Sequence, residues 1–141
     1  MWRREKKIKR NDAGAVVLRV ILGLTFFIHG LDKFQGGIEN TAGYFESFGL
    51  LGFLAYIVAF IELIGGIMLI LGIGMRIVSG LFAIIMLGAI FTVKLSAGFF
   101  GDGQMAGYEL DLALLAMAVF LLIANSTSYS LGNKIFGSKG E

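Results

Sequence analysis

The chain has no cysteine and no proline, a single histidine and a single tryptophan, and few charges for its 141 residues. The missing cysteine excludes a CxxC redox pair, a thiolate nucleophile and any thiolate metal site. One histidine cannot build a multi-histidine metal or haem centre within one chain, and no metal site is expected. Redox chemistry would therefore have to come from a bound small molecule or a partner protein. The missing proline removes the usual cause of kinked helices. Charged residues make up 16%, whereas hydrophobic residues reach 57% and mean hydropathy is +0.83. A soluble domain carries about a quarter charged residues, so little of this chain is available for water-facing surface.

What is present is apolar segments of membrane-crossing length. Crossing a hydrocarbon core takes about 20 apolar residues. Three stretches approach that, roughly 15–31, 50–71 and 77–93, and a fourth at 110–124 comes close. The expected fold is an all-α integral membrane protein, a single domain forming an antiparallel bundle of four transmembrane helices. Residues 1–12 form a basic leader and 125–141 a tail. The leader MWRREKKIKR holds half of the twelve Lys and Arg residues. Positive charge collects on the cytoplasmic side, which puts both termini there and makes the protein a multi-pass component of the plasma membrane. A cleaved signal peptide is not expected: the apolar run is long, contains Arg19 and is followed by no small-residue cleavage site. Asn11 or Asp12 is the expected cap of the first helix. Thr41–Phe48 reads equally as a short interfacial helix or an ordered loop. Gly72–Arg76 is a tight turn that makes spans two and three antiparallel neighbours.

Charges within a membrane segment call for partners. Arg19 and Glu62 lie inside spans one and two, and depth counting from the cytoplasmic end suggests an ion pair between them. Ala55, Ala59, Glu62 and Gly66 share one helix face, which should turn towards the bundle. Ser79, Ala83 and Gly88 give span three a small-residue edge. A second polar group gathers at the opposite ends: His29 and Lys33 close span one, Lys94 closes span three, and Tyr108, Glu109 and Asp111 open span four. These residues supply donors, acceptors and one group titrating near neutrality. Together they suit the polar head of a small molecule, with Phe26, Phe27 and Phe91 around its ring. Ordinary salt bridges, Lys33 or Lys94 with Asp111, and helix-dipole effects at Glu109 and Asp111 are the simpler alternative.

The runs LRVILGLTFFIHGLDKF, FIELIGGIMLILGIGMR and GYELDLALLAMAVFLL resemble, in order, the DoxX family of small bacterial membrane proteins. HGLDKFQGGI and KLSAGFF resemble its CatD-type oxidoreductase branch. The resemblance implies a four-helix membrane bundle, an association with quinone or catechol stress, and functional weight on Arg19, His29, Lys33, Glu62, Glu109 and Asp111. Three readings follow. In the first, the chain is a quinone- or catechol-linked oxidoreductase component: His29, Lys33 and Asp111 are catalytic, and Lys94, Tyr108, Glu109 and Phe26 contact the substrate. His29 moves a proton, Lys33 or Lys94 stabilises a phenolate or semiquinone oxygen, quinone is the one cofactor to consider, and a redox partner protein supplies electrons. In the second, it transports a small aromatic or anion, which at this length calls for a homodimer. In the third, it is a scaffold for redox partners. All three involve the lipid bilayer and none a nucleic acid.

Overall fold

A computed structural model of the chain describes residues 2–124, with side chains from Arg10 onward. Five α-helices follow one another: α1 (Trp2–Gln35), α2 (Ile38–Ser47), α3 (Phe53–Leu71), α4 (Met75–Ala89) and α5 (Glu109–Ile123). α4 runs on through a π-helical turn, Ile90–Lys94, and a 3-10 turn, Leu95–Ala97. Among the described residues there is no strand, only an isolated bridge between Gly101 and Ala106.

Three segments are long and apolar enough to cross a membrane: Arg10–Gln35, Phe53–Leu71 and Met75–Ala97. The fourth expected span corresponds to α5, whose 15 described residues rise about 22 Å at ~1.5 Å per residue. The tail expected at 125–141 lies outside the described residues. Helix α1 begins well before the expected cap. Asn11 and Asp12 sit inside it, because no proline separates the basic leader from the apolar run and Gly14, the one glycine between them, is itself helical. Residues 38–47 are helical, which settles the open choice for this connection.

Glycines set how the helices meet. α1 lies along α3, and a Cβ on Gly23 would stand 2.7 Å from the Gly66 carbonyl oxygen. One on Gly30 would stand 2.6 Å from the backbone nitrogen of Leu63. Backbone against backbone is the close approach that small residues permit in a membrane bundle. Ala55, Ala59, Glu62 and Gly66 are all buried, as their shared face requires. On α4, Ser79 and Ala83 are buried. Gly88, expected on the same edge, is exposed and would meet nothing if given a side chain.

α4 packs against α5. The two helix pairs meet where Phe26 of α1 stacks on Phe82 of α4, with centroids 3.8 Å apart and planes 12° apart. Leu22, Leu69, Val78, Met86, Leu114 and Leu121 close around that stack. The α3–α4 turn carries left-handed Gly72 and Gly74, and the Ile73 N–H donates to the Met68 carbonyl across 2.8 Å, closing α3 in a Schellman manner. Large apolar side chains face outward all round, among them Ile21, Ile28, Phe60, Ile67, Ile77, Ile84 and Phe91. This surface suits lipid, not water.

Candidate functional site

The end of the bundle reached by the C-terminus of α1, here the distal end, collects the ionisable groups. Lys33 Nζ lies 2.8 Å from Glu62 Oε2, and Lys94 Nζ lies 2.7 Å from Asp111 Oδ2. Both carboxylates are nearly sealed, with 4% and 8% of the side chain exposed, while the lysines keep about a fifth to a quarter exposed (20% and 24%). The first pair ties α1 to α3. The second ties the π-turn after α4 to the first turn of α5.

Glu62 thus has a different partner from the one depth counting gave it. Gly30 abuts Leu63, and Arg19 lies eleven residues before Gly30, about 16 Å lower by helical rise. Side-chain direction adds to the separation. Helical side chains lean towards their own N-terminus. Lys33, near the distal end of α1, leans down the bundle. Glu62 leans up, because α3 starts at the distal end. Arg19 leans the other way, and it lies buried lower on α1. One polar group expected at each depth becomes a single distal station that includes Glu62, with Arg19 separate from it. The tilt rule argues against the Arg19 pair from the sequence alone, whereas the Lys33 pair also needs the α1–α3 register.

His29 stands at the rim. It is exposed on the bundle surface, and the charges of Lys33, Lys94, Asp111 and Asp32 all act on it. Asp32 is an electrostatic neighbour outside the expected set of site residues. Tyr108 precedes α5. Its ring packs edge-on to Phe99 at 5.7 Å, and its N–H donates to the Gly98 carbonyl across 3.2 Å. Glu109 is exposed, and its N–H donates to the Phe99 carbonyl. Phe26 is a packing residue: it is fully buried in the stack with Phe82, two turns below Lys33. Phe91 faces outward.

The π-turn helps to deliver Lys94. Thr92 Oγ1 donates to the Gly88 carbonyl across 2.5 Å, a bond back onto the preceding turn that loosens the regular ladder. Single π-turns frequently mark functional positions. Among the described residues no three His, Asp or Glu side chains are grouped so as to hold a metal ion. The station is instead two ammonium–carboxylate pairs with an imidazole beside them, able to donate, accept and relay protons to a small polar group.

Fold and site together define a helical membrane protein with a distal polar centre. The DoxX family model matches residues 14–95, and the chain belongs to the DoxX family. It is 44% identical over 131 residues, 93% of each chain, to the Bacillus subtilis protein named "Putative oxidoreductase CatD". It is 29% identical over 130 residues, 85% of this chain and 80% of the other, to the "Uncharacterized membrane protein Rv3486" of Mycobacterium tuberculosis. No solved structure matches the chain.

Proposed function

We propose that this DoxX family membrane protein is a redox component that binds a quinone- or catechol-type molecule at the distal station, in the plasma membrane, as part of an oxidant or electrophile stress response. One observation carries the reading: two ion pairs with sealed carboxylates converge at one end of an otherwise apolar bundle, with the sole histidine at their rim. Buried charge is costly in a membrane, and its presence there favours function over packing. The relative named an oxidoreductase supports the same reading. His29 exchanges the proton, Lys33 or Lys94 faces the developing oxyanion, and Asp111 holds Lys94 in place. Tyr108 and Glu109 contact the bound molecule from the start of α5. Electrons come from a partner protein or a second substrate. α5 completes a four-span bundle with both termini cytoplasmic, so the station faces the outer side.

The experiment is purification in mild detergent, mass spectrometry of the small molecules that accompany the protein, and titration with a short-chain benzoquinone. The reading expects stoichiometric binding that His29→Ala weakens about tenfold, the loss of one charge-assisted hydrogen bond. A protein that carries no quinone and binds none would overturn it.

A further inference from the structure

The segment between the π-turn and α5, residues 98–108, is a stiff small hairpin. The Asp102 N–H donates to the Met105 carbonyl across 3.2 Å. The Asp102 carboxylate accepts the Met105 N–H at 2.7 Å and the Gln104 N–H at 3.0 Å. Gly101 and Ala106 form a bridge. A Cβ on Gly107 would collide with the carbonyl oxygens of Phe99 and Gly98, so the two arms of the hairpin touch. Its base is tied at both sides, Tyr108 N–H to Gly98 and Glu109 N–H to Phe99.

Polarity is divided along this hairpin. The tip, Asp102–Gln104, is polar and exposed. The base is aromatic: Phe99 packs edge-on against Phe100 at 4.9 Å and against Tyr108 at 5.7 Å. Phe100 is nonetheless 83% exposed and Phe99 40%. A large ring held out by a braced backbone is not a packing residue. The ring lies where the α4 span ends and α5 begins. The outward apolar surface of Phe91, Leu95 and Leu110 leads up to it. That surface already faces lipid, and the aromatic base continues it to the level at which a membrane gives way to water.

We propose that the 98–108 hairpin is an interfacial anchor, with Phe99 and Phe100 inserted at the boundary between lipid headgroups and acyl chains and the Asp102 tip in water. The partner is the bilayer itself. The aromatic edge and flat ring suit the interface whatever the headgroup charge, and no cation accompanies them in the hairpin. Insertion of about 5–10 Å is usual for such a surface. The anchor fixes the start of α5 and so the height of Asp111 in the membrane. It stands independently of what the distal station binds.

The single tryptophan makes the test direct. Two reporters are made on a Trp2→Phe background, Phe100→Trp and Gln104→Trp, in phosphatidylcholine nanodiscs, where both faces meet the solvent. Quenching is compared for lipid brominated near the ester, lipid brominated at the chain end, and aqueous iodide. Phe100→Trp should be quenched several-fold more by the shallow bromolipid than by the deep one, and scarcely by iodide. Gln104→Trp should show iodide quenching several-fold stronger than Phe100→Trp, and no bromolipid effect. Iodide quenching of Phe100→Trp equal to that of Gln104→Trp overturns the proposal, as does silence towards every quencher, which would mean that protein covers the ring. Stronger quenching of Phe100→Trp by the deep lipid also overturns it.

Discussion

Lys33 and Glu62 find each other because two antiparallel helices lean their side chains towards opposite ends. The pair spans 2.8 Å with the carboxylate sealed, so removing one partner strands the other. Lys33→Met should destabilise the protein by on the order of 3 kcal/mol, the low end for a buried pair, because a fifth of the lysine stays exposed. The double variant Lys33→Met with Glu62→Leu should recover most of that loss. Equilibrium unfolding in mixed micelles measures both, and a double variant no better than the single one would deny the pairing. A second residue-scale outcome concerns Asp102. Backbone N–H donation from Met105, then from Gln104, holds its carboxyl below the ordinary range. A depressed folded-state value means that the hairpin contribution is fully present above about pH 4 and is lost as pH falls through the lower folded value. Protection of the Met105 amide, its exchange relative to the intrinsic rate at the same pH, should fall there, and Asp102→Ala should remove that change. At this scale the sequence identified His29, Lys33, Lys94 and Asp111 as one distal group, and it set Glu62 apart with Arg19. It offered the Lys94–Asp111 pair as the simpler alternative but did not identify the Lys33–Glu62 pair. That pair depends on the α1–α3 register, which Gly23 and Gly30 set by backbone contact and which no hydropathy pattern encodes.

At the scale of elements, glycines divide into those that carry contacts and those that do not. A Cβ on Gly66 would stand 2.6 Å from the Gly23 carbonyl oxygen, so Gly66→Val should push α3 off α1 and cost about 1–3 kcal/mol through overpacking. Gly88 meets nothing, and Gly88→Ala should be neutral or stabilising by up to about 1 kcal/mol. Thermal unfolding of the two variants should move in opposite directions or leave the second unchanged. Helix identity was plain in the sequence because long apolar runs without proline have few other folds in lipid. The start of α1 was not, since Asn11 and Asp12 read as caps but fall within a helix that nothing interrupts. The π-turn was equally hidden: Thr25 and Thr92 both lie in apolar helices and both bond back four residues, and the helix widens only at Thr92.

At the scale of the molecule, three long apolar helices and α5 surround a core centred on Phe26 and Phe82, and the two ion pairs lie at one end. Lys and Arg crowd the first ten residues, which favours a cytoplasmic N-terminus and an outward distal station. The absence of cysteine gives a clean topology assay. Gln104→Cys should react with an impermeant maleimide on intact cells, and Lys6→Cys only after lysis. The central claim is that the distal station holds a quinone-type molecule through its lysine–carboxylate pairs. Its most direct measurement is the affinity of a short-chain benzoquinone for the protein in nanodiscs, wild type against the double variant Lys94→Met with Asp111→Leu, which leaves no stranded charge. The account predicts stoichiometric binding to the wild type and a loss of at least about tenfold, one charge-assisted contact, in a variant that unfolds like the wild type. Equal binding by both proteins, or by neither, would contradict it.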